Sequence, residues 1–273
     1  MATRVVYENF RSFGEMLSII NSRPNGPHMT NEHASQKKDK KWTGTESYKQ
    51  ACDMLPIGYL EVLKKMEKNI EQQNKLNAKF VAEIERPLPQ NDIYGYIPCV
   101  PAAIQGLPKS MVNINRKPMK RKTLHVLYSI AGTCDKDTDW FIKSGTALLS
   151  AIDIVERGGI QTKIDLNFFG GVDDDQYTFP TITIKNYGER YSPQKISFPL
   201  VHPSMFRRIG FKWLETNPDI DHHFWAYGRT PAYDDLAKAL DIKDPATYLI
   251  TTSWIAGRNF SVEEILRKFE VIS

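Results

Sequence analysis

The chain has 273 residues, of which 41% are apolar and 11% aromatic, and it carries a net charge of +4. This composition supplies a core for one large domain or two modest ones. No stretch reaches the roughly 18 apolar residues that a membrane-spanning helix needs, and the opening MATRVVYENF lacks the apolar centre of a signal peptide. These features argue against a membrane protein and predict a cytoplasmic one.

The first 115 residues are predicted to form a helical N-terminal region. A short helix is expected over residues 10–20, a basic loop over 25–41, and a helix from a Thr43–Glu46 capping box to Leu55. Residues 59–84 predict a long charged helix with one apolar stripe, which packs on the body or on a partner. Five prolines then make 86–110 an extended crossing segment.

The densest positive charge lies just before the first predicted strand of the second region. Its members are Arg116, Lys117, Lys120, Arg121 and Lys122. One interpretation is a solvated lead-in that protects a strand edge, since lysines often guard such edges. The other is a strip that binds phosphates of nucleic acid. Both interpretations stay open at this point.

Residues 123–170 predict a complete strand–helix–strand unit. Residues 123–130 (TLHVLYSI) are nearly all apolar, as in a strand covered on both faces. Asp137 or Thr138 can cap the following helix, and Gly158 with Gly159 can end it. Residues 162–169 then alternate as a second strand, which a right-handed crossover places parallel to the first.

The remaining segments extend this sheet. An acidic loop at 170–175 leads to a third strand at 177–187, and further strands are predicted at 195–201 and 247–254. His202 is expected at a strand's carboxyl end, and one of Arg207 and Arg208 is expected to face a carboxylate or carbonyl while the other faces solvent. The DIDHHFWAY stretch at 219–227 is interpreted as a packed loop, and a second capping box starts at Ser261.

This order predicts a three-layer α/β fold with a mostly parallel, Rossmann-like sheet over residues 116–273. The order resembles a von Willebrand factor A-like domain, whose first strand ends in an Asp-x-Ser-x-Ser metal motif. Ser129, Ala131 and Thr133 stand at the matching positions. Because the carboxylate and one hydroxyl are missing, no metal and no cofactor are expected.

The chain is also similar to a set of uncharacterised phage and prophage proteins. The similarity lies in WTGTESYKQA, VPAAIQGLPKSM, SGTALLSAIDIVERGG and FPLVHPSMFRRIGF, in the same order. The resemblance implies viral origin and an A-like core, and it implies a location in the host cytoplasm or in association with the virion. It implies no particular activity.

Three functions follow as hypotheses. The leading one is a non-enzymatic phage binding or assembly protein that uses the carboxyl edge of the sheet for protein contacts and can form oligomers. Its contact candidates are Ser129, Thr133, Asp135, Asp173, Asp175, His202 and Thr252. The alternative is a nucleic-acid-binding accessory protein that uses the basic strip at 116–122. An enzyme is not favoured, because no phosphate-binding glycine loop or nucleophile–base pair is evident. Its active site would require a metal or nucleotide to be held by residues among Asp173, Asp175, His202, His222 and His223.

Overall fold

A computed structural model describes residues 4–26, 33–68, 75, 90–95, 97–113, 123–168, 170–173, 176–220, 242 and 244–272. The strands are β1 (Arg4–Phe10), β2 (Gln90–Asp92), β3 (Ile97–Pro98), β4 (Met111–Asn113), β5 (Thr123–Ser129), β6 (Gln161–Asn167), β7 (Gly170–Asp173), β8 (Gln176–Lys185) and β9 (Thr247–Thr251). The α-helices are α1 (Phe13–Ser22), α2 (Lys40–Thr43), α3 (Tyr48–Ile57), α4 (Leu60–Lys68), α5 (Val100–Ile104), α6 (Thr138–Arg157), α7 (Pro193–Val201), α8 (Phe211–Thr216), α9 (Thr252–Ala256) and α10 (Val262–Lys268). A 3₁₀-helix (Ala34–Gln36) and a π-helix (Met205–Gly210) complete the described elements.

The main sheet has the strand order β1-β8-β6-β5-β9, and β7 pairs with β8 outside this path. Neighbours are parallel at β1/β8, β6/β5 and β5/β9, and antiparallel at β8/β6 and β7/β8. The α6 helix connects β5 to β6, and the Asp137 side chain caps it by accepting a hydrogen bond from the Trp140 backbone. The predicted strand–helix–strand unit and the mostly parallel α/β sheet are therefore confirmed.

The two faces of the main sheet have different chemistry. Along β5, Leu124, Val126 and Tyr128 join the large core, which includes the buried side of α6. Alternate residues of a strand point to opposite faces, so His125, Leu127 and Ser129 share the other face. Leu127 belongs there to a second, small cluster with Phe179 and Leu249.

The α6 and α7 helices meet at very close range. A Cβ atom added at Gly145 of α6 would lie 2.2 Å from the Leu200 backbone oxygen of α7. Only glycine permits this approach. Every residue of α7 from Ile196 to Val201 is buried, so this helix fills the layer beneath α6.

The prediction of a strand at 195–201 is wrong, because this stretch is the α7 helix. A short apolar run that is buried on all sides shows no periodicity to separate a strand from a helix. His202 consequently ends a helix instead of a strand. Arg207 and Arg208 are both fully buried, so the expectation that one of them faces solvent is also wrong.

Four N-terminal predictions also need correction. Phe10 belongs to strand β1, and the helix predicted from residue 10 starts at Phe13 with Ser12 as its cap. The side chain that caps α3 is Ser47, because Thr43 lies in α2 and bonds to buried groups instead. The basic loop contains the 3₁₀-helix and α2. The apolar stripe of α4 buries Val62 and Met66, while Leu60 is exposed; most of its predicted continuation, to residue 84, lies outside the described residues.

The proline-rich segment at 86–110 contains regular structure that the sequence did not predict. Strands β2, β4 and β3 form a small antiparallel sheet in that order, and α5 lies between β3 and β4. The predicted strand at 247–254 is confirmed as far as Thr251, after which α9 begins, and the Ser261 cap of α10 is confirmed. The division at residues 115 and 116 stays a prediction. The loop at 222–227 and the helix expected from Thr230 lie outside the described residues.

Candidate functional site at the carboxyl edge of the main sheet

Strands β5, β6 and β9 are parallel and end at one edge of the main sheet. Their register places Ser129 beside Asn167 and Thr251, and Asn167 beside Thr181 of β8. The result is a row of hydroxyl and amide side chains across four strands. Open α/β sheets usually bind ligands at this edge. Ser129 and Thr251 of the row were predicted at the edge, whereas Asn167 and Thr181 were not.

Asn167 is completely buried in this row. Its amide nitrogen donates hydrogen bonds to the Pro180 oxygen at 3.2 Å and to the Thr181 hydroxyl at 3.0 Å. The Pro180 oxygen only accepts, so it fixes the orientation of the amide. The Oδ1 atom has no hydrogen-bond partner among the described residues. Burial of such an acceptor costs about 1–3 kcal/mol. The Tyr128 hydroxyl of β5 is also buried without a hydrogen-bond partner among the described residues.

The loop at 131–137 follows β5 and forms the front of the edge. The Thr252 hydroxyl at the start of α9 donates a hydrogen bond to the Ala131 oxygen and ties this loop to the end of β9. Asp135 is exposed, and hydrogen bonds from Lys136 and Thr133 lower the pKa of its carboxyl to about 2. Asp135 is therefore ionised at neutral pH and forms an ion pair with Lys136 at 2.8 Å.

The buried Arg207 side chain fixes the same loop by hydrogen bonds. Its guanidinium donates to the Trp42 oxygen at 2.6 Å, to the Lys136 oxygen at 2.5 Å and to the Thr133 oxygen at 3.3 Å. It lies between the Trp42 and Phe141 rings, 4.5 and 4.7 Å from their centroids. Burial lowers the pKa of Arg207 to about 10, so the group stays charged at neutral pH. The Trp42 indole also donates to the Cys134 oxygen.

Arg208 binds the N-terminal segment to the same π-helix. It donates to the Ser35 oxygen at 2.7 Å, the Thr43 hydroxyl at 3.0 Å and the Thr45 oxygen at 2.8 Å. Ser204 adds a hydrogen bond to the Thr43 oxygen at 2.6 Å. Because π-helical turns are rare and often occur at functional sites, the position of both arginines on one is notable. Arg207 holds the loop of the carboxyl edge in place, and Arg208 holds the N-terminal segment that packs beside it.

The third part of the edge is an aromatic–cation pair just after β9. The guanidinium carbon of the exposed Arg258 lies 4.0 Å from the Trp254 ring centroid. The next two residues, Asn259 and Phe260, have φ values of 52° and 57°. Left-handed conformations of non-glycine residues cost about 1–3 kcal/mol each and cluster at functional sites. Sequence reasoning had no signal for this turn, because neither residue is glycine.

The structure brings together four of the seven predicted contact residues. Ser129, Thr133, Asp135 and Thr252 lie at the ends of β5 and β9 or in the loop at 131–137. Asp173 ends β7, and its side chain lies outside the described residues, as does Asp175. The five basic candidates at 116–122 and the histidines at 222 and 223 are also outside the described residues.

His202 has a structural environment. It ends α7, its ring packs against those of Tyr59 and Phe198, and its Nδ1 atom accepts a hydrogen bond from the Ser204 backbone. Burial lowers the pKa of His202 to about 4. The imidazole is therefore neutral at pH 7 and supports the segment that carries Arg207 and Arg208.

A second polar network lies near the opposite edge of the sheet, and the sequence analysis did not predict it. His125 contacts Asp165 at 2.7 Å through Nε2 and the Thr247 hydroxyl at 2.9 Å through Nδ1. Burial raises the pKa of Asp165, but hydrogen bonds from His125, Lys163 and Thr183 outweigh burial, and the net pKa is lowered. Asp165 is therefore fully paired, as a structural carboxylate would be. The described residues contain no group of three or more His, Cys, Asp or Glu side chains that could hold a metal ion.

Comparison with known proteins gives a family without an assigned role. A family model described as Domain of unknown function (DUF7192) matches residues 2–273. The chain belongs to this family. No curated protein and no solved structure matches the chain. The comparisons therefore indicate no activity and no partner for this DUF7192 chain. In the described parts of this DUF7192 chain, no helix has both the length and the apolar character needed to span a bilayer.

Proposed function

We propose that this DUF7192 protein is a non-enzymatic binding protein that contacts a protein partner through the carboxyl edge of its main sheet. The observation that carries the proposal is the exposed Arg258 stacked on Trp254 at that edge. Arginine and tryptophan are the residue types most enriched among interface residues that dominate binding energy. Stacking also leaves the edge of the guanidinium available for hydrogen bonds.

The rigidity of the edge supports the same proposal. Arg207 donates hydrogen bonds to two carbonyls of the 131–137 loop, and Thr252 joins the loop to β9. Recognition loses less conformational entropy when the contact residues are held in place before binding. The paired environment of Asp165 and His125 gives no comparable support for a chemical step.

Viral origin and a relationship to von Willebrand factor A-like domains are the finer parts of this proposal. The proposal of viral origin rests on the resemblance of four sequence pieces to phage proteins, and the proposal of an A-like relationship rests on the mostly parallel α/β sheet. The alternative, nucleic-acid binding, rests on the basic residues at 116–122, which lie outside the described residues. It stays a prediction of the sequence.

The test is an affinity purification from cells that express the tagged chain, with and without nuclease treatment. We expect a protein that co-purifies with the wild type in both halves and that is lost, or reduced at least tenfold, with a Trp254→Ala/Arg258→Ala double variant. Lys49→Ala is the matched control, because Lys49 is highly exposed on α3. Retention of every protein partner by the double variant would refute the proposed surface, and loss of all partners after nuclease treatment would favour nucleic acid.

A further inference from the structure

The small sheet exposes an unusual amount of apolar surface. Of the ten large apolar side chains that are exposed in the described residues, six lie within a span of fifteen residues. They are Ile93 (68% exposed), Tyr94 (71%), Ile97 (58%), Val100 (58%), Ile104 (81%) and Leu107 (49%). We call this set the 93–107 surface. Soluble monomers seldom expose so many large apolar side chains together without a binding role.

These side chains are carried by one compact unit. Ile97 lies on β3 and pairs with Val112 of β4, while Val100 and Ile104 are one turn apart on α5. The Cys99 backbone donates to the Ser110 oxygen, and the Leu107 backbone donates to the Ala102 oxygen. Both hydrogen bonds join residues of the same short segment. The 93–107 surface is therefore held by its own backbone.

The amount of apolar area fits an interface of ordinary size. From the exposed fractions, the six residues present roughly 800 Å² to solvent, which is about what each partner contributes to a standard stable interface. A sheet whose strands are only two or three residues long is also marginal by itself. Burial of its apolar side chains would stabilise it.

The absence of charge in this segment favours a second copy of the chain as the partner. Residues 93–108 (IYGYIPCVPAAIQGLP) contain no charged side chain, although 25% of the whole chain is charged. A neutral apolar surface meets its own copy without like-charge repulsion, whereas it offers no charge with which to select an acidic or basic partner. The order β2-β4-β3 also leaves β2 and β3 at the edges, and β2 contains no proline.

We propose that two copies of the chain associate face to face through the 93–107 surface and form a twofold-symmetric dimer. In such a dimer the same residues of both copies are buried against one another. This inference is independent of the proposed function, because it involves no residue of the carboxyl edge. The dimer would present two carboxyl edges to its partners.

The test is the molar mass of the full chain, measured by sedimentation equilibrium between about 1 and 100 µM, because association rises with concentration by mass action. We expect wild type to reach twice the 31.3 kDa monomer mass. Ile104→Lys places two cations in the symmetric interface and should weaken association at least a hundredfold. Ile57→Lys is the matched control, since Ile57 is 53% exposed on α3, and it should dimerise like wild type.

Hydrogen exchange at the two ends of this concentration range gives a second readout on the unmodified chain. Amides in residues 93–107 should gain protection at the high concentration, while those of α3 should not change. A wild type that stays monomeric at 100 µM would overturn the proposal. So would an Ile104→Lys variant that dimerises like wild type, because the interface would then lie elsewhere.

Discussion

The carboxyl edge and the 93–107 surface are built in opposite ways. The edge is polar, and its front loop is fixed by buried side chains that come from distant parts of the sequence, above all Arg207. The 93–107 surface is apolar, and short-range backbone bonds within one unit hold its scaffold. Substitutions behind the edge should therefore destabilise the fold, whereas substitutions on the 93–107 surface should leave the folded monomer intact and change only association.

The largest effect is expected from Arg208→Met. The substitution removes the donors for two buried carbonyls and one buried hydroxyl, and we expect the free energy of unfolding to fall by about 3–5 kcal/mol. Urea denaturation followed by circular dichroism measures it. Arg258→Met is the control, because that exposed side chain should change stability by less than about 0.5 kcal/mol. Similar losses in both variants would contradict the contrast between the support and the exposed edge.

The second prediction concerns pH and His202. Burial lowers the pKa of His202 from 6.5 to about 4, so between these values the unfolded chain binds a proton that the folded chain does not. The contribution of His202 to the free energy of unfolding is therefore fully present above pH 6.5. It is lost as the pH falls towards 4, and the loss amounts to about 3 kcal/mol.

Urea midpoints measured from pH 7.5 to pH 4.5 test this slope. His202→Gln keeps a side-chain acceptor near the Ser204 backbone but does not titrate, so its stability should fall much less over the same range. An equal pH slope in the variant and the wild type would show that other groups control acid stability.

The third prediction tests the close contact between α6 and α7. Gly145→Ala forces a methyl group against the Leu200 oxygen, and we expect a loss of about 1–3 kcal/mol. Gly14→Ala in α1 is the matched control, because its nearest neighbour would be 3.8 Å away and alanine favours a helix by up to about 1 kcal/mol. Thermal denaturation should move the two midpoints in opposite directions. A midpoint for Gly145→Ala that does not fall would mean that the helices can separate at little cost.

The smallest effect is expected for Ile104→Lys in the monomer. Ile104 is 81% exposed, so at a concentration where the chain is monomeric, its replacement should change the free energy of unfolding by less than about 0.5 kcal/mol. Low concentration favours the monomer by mass action, so urea denaturation at about 0.5 µM provides the value. A loss above about 2 kcal/mol would show that this side chain supports the fold, and the comparison with the edge would fail.

Sequence reasoning succeeded where structure depends on neighbours along the chain. The β5–α6–β6 unit was predictable because Asp137 caps α6, its apolar residues recur at helical spacing, and glycines follow its last turn. The Ser261 cap and the strand from Thr247 were predictable for similar reasons. At the edge, the position of Ser129 and the 131–137 loop followed directly from that unit.

Tertiary structure alone decided the features that depend on contacts between distant residues. Strand β1 joins the sheet through β8, about 170 positions away in sequence. The α7 stretch is a helix despite its strand-like pattern, because its buried residues show no periodicity from which the helix could be predicted. The row through Asn167 depends on register between strands, and the burial of Arg207 and Arg208 depends on carbonyls supplied by the N-terminal segment and the edge loop. The sequence by itself determined the local elements, because caps, periodicity and glycines act over a few residues. Packing determined the site, because its contacts exist only after those elements are assembled.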